Sequence, residues 1–415
     1  MHFNINRIKY FILITGFIFY CNILFAKITI IPQESGSQKV EIPFEYINGL
    51  IELNIKMNDI PLRFIFDTGA EHTILSKKEL AGLIGLKILK EIEVYGADFS
   101  KKLSAYITNP VKIRIEDRYE KQEPILILSE DIFSLNSVGE STIHGIIGAS
   151  FFRYKIIEID YLREIITVYP DGYKVNMKGF EEMPVTFYGH KPVINSRIKI
   201  NKQDTTISTK ILMDTGSSVP IIFMKHLDSK FKLPEKMVKG QLGIGLGGDL
   251  VGWIGLMNGI YMGNFKLNEL ICKFQDVDSI KLSKSSSGRD GILGNEILKK
   301  FTVLIDNTHK KLYFKPNRLY KKKIKYDKSG ITLFAAGKNL DKYYIKYIIP
   351  GSPADLAGLK PNDRIYSVQH INTLFWPLNS IINLFKKKEN KKIRLKVIRD
   401  NKKYIYTFRL KDMFH

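Results

Sequence analysis

Apolar side chains recur at alternate positions in short runs along most of the chain, and turn-forming residues separate the runs. Leu50 to Met57 and Leu62 to Phe66 are such runs, divided by Asn58-Asp59 and preceded by Asn48-Gly49. A period of two bounded by Asn, Gly and Asp predicts strands joined by tight turns, here a β-meander that opens at Val40 to Tyr46. Ile92 to Tyr95, Leu103 to Ile107 and Val111 to Ile115 continue it. Helical stretches are brief, one starting at Ser76 to Leu80 and one at Gly148 to Tyr154. The pattern predicts a mainly β protein.

The same order of runs occurs twice. Phe64-Ile65-Phe66-Asp67-Thr68-Gly69-Ala70 ends an apolar strand in an acid and a turn, and Ile211-Leu212-Met213-Asp214-Thr215-Gly216-Ser217 repeats it. Upstream, Glu41-Ile42-Pro43-Phe44 matches Glu182-Met183-Pro184-Val185; downstream, His144-Gly145-Ile146-Ile147-Gly148 matches Asp290-Gly291-Ile292-Leu293-Gly294. The two acids lie 147 residues apart and the two late glycines 146. A lone Asp-Thr-Gly arises by chance on the order of 0.1 times in a chain of this length. Two copies in matched surroundings mark the duplication of a whole lobe.

Tyr95-Gly96 follows Asp67 by 28 and 29 residues, and the glycines of Gly243-Ile244-Gly245-Leu246-Gly247-Gly248 follow Asp214 by 29 to 34. Gly243, Gly245 and Gly248 also fit a dinucleotide fingerprint, but that motif needs a following helix, and Asp249 to Trp253 is β-like. An apolar run into Asp-Thr-Gly, then a glycine-bearing hairpin, then an apolar-apolar-Gly before a short helix resembles the lobe of an aspartic peptidase. The retropepsin-like bacterial enzymes are the nearest match, over about residues 40 to 316. The resemblance implies two homologous retropepsin-like β lobes about a pseudo-twofold axis, with Asp67 and Asp214 as the catalytic pair. Two carboxylates about 3 Å apart cannot both ionise, so they share a proton, and one serves as base and the other as acid. Each lobe supplies one acid, so a monomer suffices.

Further roles follow from the same resemblance. Thr68 and Thr215 would hydrogen-bond across the axis, and Gly69 and Gly216 would let backbone N–H groups approach the carboxylates. Tyr95 and Gly96, and Gly245, Gly247 and Gly248, would lie in flaps over a bound peptide, where glycine permits close backbone approach. Ser217 carries a hydroxyl where the first lobe has Ala70; donation to Asp214 would lower that carboxyl and leave the shared proton mostly on Asp67.

A third unit follows Lys321-Lys322-Lys323, with Lys325 and Lys328 close by. Gly330-Ile331-Thr332-Leu333, then Pro350-Gly351-Ser352-Pro353-Ala354 and Ala357-Gly358-Leu359-Lys360-Pro361-Asn362-Asp363-Arg364-Ile365, resemble a small α+β PDZ domain over about residues 326 to 415. Asn362 stands where Gly is usual, at a turn position that Asn also tolerates. The resemblance implies that the backbone amides of Gly330, Ile331, Thr332 and Leu333 hold a peptide's terminal carboxylate while the peptide adds a strand to the sheet edge. A PDZ-like fold that only packs against the lobes is the alternative.

Length and charge bound these readings. A chain of 415 residues can build two or three domains, and 44% apolar residues suit a soluble protein. Lys and Arg outnumber Asp and Glu by 64 to 42, but the lysines are spread among Ile and Asn throughout, which a compositional bias explains as well as a binding stripe does. Arg7 and Lys9, the apolar run Tyr10 to Phe25, and Ala26 read as an export signal cleaved before Lys27. Leu24 at the third position before the cut leaves an uncleaved anchor open, although about sixteen apolar residues are short for a span. Cys21 lacks the small preceding residue of a lipoprotein site. Cys272 would then be the only thiol, excluding an intramolecular disulfide, and its place in Leu270-Ile271-Cys272-Lys273-Phe274 predicts a buried small hydrophobe. None of the eight histidines has metal-ligand spacing with a second ligand type, and His72 is expected in an exposed turn.

The expected order is a signal peptide over 1–26, lobes over 27–170 and 171–318, a basic linker over 319–327 and a PDZ domain over 328–415. The expected activity is that of an exported, periplasmic or extracellular aspartic endopeptidase acting on peptide or protein substrates. No cofactor, metal or nucleic acid is expected, and membrane contact only through an uncleaved signal. Two other readings stay open: a peptide-binding scaffold whose lobes no longer cut, and an envelope-associated protein held to anionic surfaces by its basic excess.

Overall fold

The computed structural model describes residues 38–414 apart from 96–101, 130–142, 225–232, 246–247, 276–287 and 338–339. The chain is mainly β. Leu50–Met57 and Ile60–Asp67 form an antiparallel hairpin, with Ile55 opposite Leu62 and Leu53 opposite Phe64. The turns at both ends of Leu50–Met57 fall where the sequence places them: Asn48, Gly49, Asn58 and Asp59 all take positive φ, which these residue types tolerate and the twist of a tight hairpin demands. The brief helix is Leu80–Ile84, later than the sequence suggests. Ser76 is not helical because its amide and its hydroxyl both bond the His144 carbonyl, each at 2.9 Å. The second brief helix is a single 3-10 turn, Ala149–Phe152.

In each half the strand that ends at the acid runs parallel to the strand of the late glycine. Gly145–Gly148 pairs with Ile60–Asp67, bringing Gly148 opposite Asp67. Gly291–Leu293 pairs with Ile207–Met213, bringing Leu293 opposite Met213. The late-glycine strands and the last apolar residues of the acid-bearing strands, Phe64 to Phe66 and Ile211 to Met213, are buried on both faces, which suits their local apolar runs. In the second half, Lys191–Lys199 also pairs with Gly248–Met262 and closes the sheet on itself.

A six-stranded sheet underlies both halves, three strands from each: Val40–Pro43, Ile165–Tyr169 and Ile156–Asp160, then Phe301–Asp306, Lys311–Pro316 and Glu181–Glu182. At its centre Glu158 lies opposite Leu304, its counterpart in the duplication, so the pseudo-twofold axis passes through this pair. One continuous core runs from Phe66, Phe151 and Phe152 to Phe223, Phe274, Phe301 and Phe314.

The last unit has its own core, including Leu333, Ile345, Ile365, Ile381 and Leu395. Its sheet runs in the order Ile331–Ala336, Lys342–Ile348, Arg364–Val368, Lys392–Arg399, Lys402–Arg409, with the helix Leu378–Phe385 packed against it. Asn362 has φ 70°, so Asn does occupy the left-handed turn. The neighbouring Asp363 is fully buried and neutralised by a bidentate Arg399 at 2.6 and 2.7 Å. The basic segment before this unit is fastened rather than free. Buried Lys300 donates from Nζ to the carbonyls of Leu319 (3.0 Å), Tyr320 (3.4 Å) and Lys322. At the other end of the unit, Phe414 joins Leu242, Ile254 and Ile271 of the second half in a separate apolar cluster.

Candidate active site

Two acid-bearing turns meet on the axis because the chain behind each of them has no side chain. A Cβ on Gly148 would lie 2.5 Å from the His72 carbonyl carbon and oxygen, and one on Gly294 would lie 2.2 Å from the Val219 carbonyl oxygen. Backbone cannot yield by that much, so the late glycines are a steric requirement. The amides that follow them hold the turns: Ala149 N–H donates to Ala70 O (2.9 Å) and Asn295 N–H to Ser217 O (2.8 Å).

Between the turns, Thr68 and Thr215 exchange hydrogen bonds across the axis. The Thr68 amide donates to Thr215 Oγ1 at 2.9 Å and the Thr215 amide to Thr68 Oγ1 at 3.1 Å. Each hydroxyl in turn donates to the opposite strand, Thr68 to Met213 O at 2.8 Å and Thr215 to Phe66 O at 2.7 Å. All four groups are buried and satisfied, which fixes the separation of the turns.

Asp67 and Asp214 are brought together, each carboxyl lying against the glycine of the other's turn. The amides of Gly69 (2.7 Å) and Ala70 (3.1 Å) both donate to Asp67 Oδ1, whereas Asp214 Oδ1 receives only the Gly216 amide, at 2.8 Å. Burial pushes the Asp214 carboxyl well above the usual carboxylate range, and the charge and hydrogen bond of Asp67 add to that, against the Gly216 amide and the Arg289 charge. The pair titrates as a unit, and these contacts favour the shared proton on Asp214, whereas donation from the Ser217 hydroxyl would favour Asp67. Among the described residues no hydrogen bond joins the Ser217 hydroxyl to Asp214. Backbone amides and burial, rather than that hydroxyl, set the asymmetry. Gly69 and Gly216 also do more than present their amides. A Cβ on Gly69 would stand 2.6 Å from Asp214 Cγ and one on Gly216 2.4 Å from Asp67 Cγ, so each glycine admits the other lobe's acid.

Several residues of the site have no counterpart in the motif reading. Asn295 is fully buried; its Nδ2 donates to Thr215 O at 2.6 Å and to Gly49 O at 2.8 Å, and its Oδ1 accepts from Tyr161 at 2.7 Å. It ties the Asp214 turn to a hairpin of the other lobe. The matching hairpin of the second lobe reaches back: the His190 amide donates to Glu71 Oε2 at 3.1 Å and the ring Nδ1 lies 2.6 Å from Oε1. Burial raises the Glu71 carboxyl, but the His190 contacts outweigh it and hold the carboxyl below its ordinary value. Lys191 follows His190, and its ammonium is lowered by burial and by the Arg289 charge, against Glu71 and Asp67. Buried Arg289 feels both acids of the pair. The visible signals were small: Asn295 stands where the first lobe has Ala149, and Glu71 where the second has Ser218.

The expected flaps lie on hairpins. Tyr95 ends Ile88–Tyr95, which pairs with Lys102–Thr108, while Gly96 lies outside the described residues. Gly245 ends Met237–Gly245 and pairs with Gly248, the first residue of Gly248–Met262; Gly247 lies outside the described residues. A strand follows these glycines, as a hairpin requires and a dinucleotide loop does not.

In the last unit Ile331–Ala336 is an edge strand, paired only with Lys342–Ile348. The loop leading into it is occupied from within. Half-buried Asp327 accepts from the amides of Ser329 (3.0 Å) and Gly330 (2.6 Å), and the Ile331 amide donates to Ser329 Oγ at 3.1 Å. The amides of Gly330 and Ile331, expected to hold a terminal carboxylate, are thus committed inside the chain, while Thr332 and Leu333 lie within the edge strand. Cys272 is buried, with its thiol raised by burial, consistent with packing.

Known proteins match parts of this arrangement. The family model described as aspartyl protease matches residues 53–151, and that described as PDZ domain matches residues 344–399. Basic 7S globulin from soybean, a solved structure, is 10% identical with a TM-score of 0.42, over 70% of this chain and 98% of that one. No curated protein matches the chain. The turn bearing Asp67 thus lies in an aspartyl protease domain, and the same chain carries a PDZ domain at its C-terminal end.

Proposed function

We propose that the chain is an exported aspartic endopeptidase in which Asp67 and Asp214 activate water. The observation that carries this reading is the pair itself: two carboxyls brought together across a buried threonine lattice, with the Asp214 carboxyl pushed well above the usual carboxylate range. Ionised Asp67 takes a proton from water as its oxygen attacks the peptide carbonyl, and Asp214 gives its proton to the carbonyl oxygen, leaving a tetrahedral diol. Collapse of the diol breaks the C–N bond; Asp67 protonates the departing amine, and a diol hydroxyl returns a proton to Asp214. Asn295 and Glu71 hold the turns and take no proton. The PDZ edge strand Ile331–Ala336 offers a place for an extended peptide to add to the sheet. Export rests on the basic start and the apolar run Tyr10 to Phe25.

Residues 27–415, incubated with a degenerate peptide library from acid to neutral pH, should cleave it, and Asp67→Asn should abolish cleavage. A library left intact by the unaltered chain, with a peptide still bound by the PDZ unit, sinks the enzyme in favour of the scaffold. The pH profile gives a finer check. Asp214 must keep its proton, and the Arg289 charge pulls that proton off, so Arg289→Met should carry the alkaline limb to higher pH. A limb that stays or falls contradicts the assignment of the proton.

A further inference from the structure

The strands of the PDZ sheet alternate between the core and an outer face, and on the outer face of three of them every charged position carries the same sign. Lys396 lies opposite Ile405, Ile398 opposite Lys403, and Arg364 opposite Ile398. Arg394 completes the row one pleat away, opposite Thr407. Tyr366 bulges between them, with the Lys403 ammonium 4.9 Å and the Lys396 ammonium 5.9 Å from its ring centre. No Asp or Glu occupies an outward position on Arg364–Val368, Lys392–Arg399 or Lys402–Arg409. Among the described residues Arg364, Arg394, Lys396 and Lys403 form no ion pair. Four cations on a flat face without a carboxylate cost repulsion, a cost that an anionic partner removes.

Apolar tips stand beside this face. The Arg394 guanidinium lies 3.2 Å from His370 Nδ1, just before Ile371–Asn372, and the Thr373 hydroxyl is 3.3 Å from the carbonyls of Ile365 and Tyr366. The next two side chains are among the most exposed large hydrophobics of the protein, Leu374 at 70% and Phe375 at 79%, and Ile405 on the face itself is 53% exposed. A nucleic acid could engage Phe375 by stacking but gives Leu374 and Ile405 nothing to enter; a bilayer interface gives all three acyl chains and gives the cations phosphate.

We infer that the outer face of the PDZ sheet, with the Leu374-Phe375 tip, docks on the surface of a bilayer rich in acidic phospholipid. The contact inferred is a peripheral one, made by side chains of the sheet face and the Leu374-Phe375 tip. It is independent of any peptide cleavage and of the export signal. The linear lysine cluster at Lys321 to Lys323 plays no part in it.

The test uses the chain from Lys27, which retains the compact unit Lys39–His415 whole and removes the apolar N-terminal run. It should sediment with phosphatidylcholine vesicles containing about three parts in ten phosphatidylglycerol and not with pure phosphatidylcholine. Lys396→Glu with Lys403→Glu should lower partition at least about tenfold, and Leu374→Ser with Phe375→Ser about tenfold. Lys321→Glu with Lys322→Glu, the same charge change elsewhere, should lower it less than about threefold. All variants should melt like the unaltered chain, because the replaced side chains lie outside the buried core. Equal binding to both vesicle types overturns the inference, as does an equal loss from the two charge reversals, which would mean attraction by overall charge. Full binding by the Leu374→Ser/Phe375→Ser chain, with displacement by a short DNA duplex, would replace the membrane with a polyanion.

Discussion

Asp214→Asn should abolish peptide cleavage and at the same time raise thermal stability at neutral pH. Asn keeps the shape of the side chain and can still accept from the Gly216 amide, which lies 2.8 Å from Asp214 Oδ1. It cannot give a proton to a carbonyl and stand by to regain it, so the rate should fall by about ten-thousand-fold. The stability gain has a definite sign. The folded protein raises the Asp214 carboxyl above its ordinary value of 3.8, so it holds the proton more tightly than the unfolded chain does. That preference stabilises the fold fully below the ordinary value and is lost as pH rises through the folded one. Each tenfold displacement of this equilibrium is about 1.4 kcal/mol. Asn has no proton to lose, so melting temperatures of the two chains should converge in acid and separate toward neutral pH, with the variant higher. A variant that melts lower at every pH would mean that the buried carboxyl is stabilising, and would remove the basis for placing the proton on it.

Gly216→Ala should be nearly as damaging to cleavage, by an unrelated route. The added methyl would stand 2.4 Å from Asp67 Cγ and 2.5 Å from Oδ2, below any real contact distance. Asp67 cannot swing away without losing the Gly69 and Ala70 amides at 2.7 and 3.1 Å. The lobes must part or the acid must turn, and a displacement of even about 1 Å costs about a hundredfold in rate. Overpacking of this kind costs the fold about 1–3 kcal/mol. Gly82→Ala is the matched control: it lies in Leu80–Ile84 with nothing within 4 Å of the new atom. It should leave cleavage alone and stabilise the chain by about 0.5–1 kcal/mol. If Gly216→Ala and Gly82→Ala cleave alike, the close approach across the axis has no functional weight.

The parts of the site that the sequence made legible are local or duplicated. Asp-Thr-Gly announces itself because a strand, an acid and a turn must be adjacent in the chain, and the second copy supplied the partner. Thr68 and Thr215 could be paired because the duplication implies an axis. Asn295 and Gly49 are 246 residues apart, and Glu71 and His190 119. Such contacts are made by how two hairpins fold over the opposite lobe, and no periodicity records them. The contacts that bias the shared proton were hidden for the same reason. A hydroxyl can be seen in a sequence, but the number of amides aimed at each carboxyl and the depth of its burial cannot. The cationic face was hidden by the pleat itself, which gathers alternate residues of Arg364–Val368, Lys392–Arg399 and Lys402–Arg409 while a linear reading sees only scattered lysines.

The strand pair at the centre of the six-stranded sheet has a consequence for how such a chain could arise. Ile156–Asp160 and Phe301–Asp306 meet antiparallel with counterpart residues opposed, and each would be an open edge if its own half stood alone. The surface that an isolated half exposes is thus already shaped to accept a copy of itself, in the same register, about the same axis. Fusion of two such halves turns a concentration-dependent encounter into an intramolecular one. It also frees the copies to diverge, so that Ala149 and Asn295, or Glu71 and Ser218, can hold the two acids in unequal settings that an identical pair could never provide.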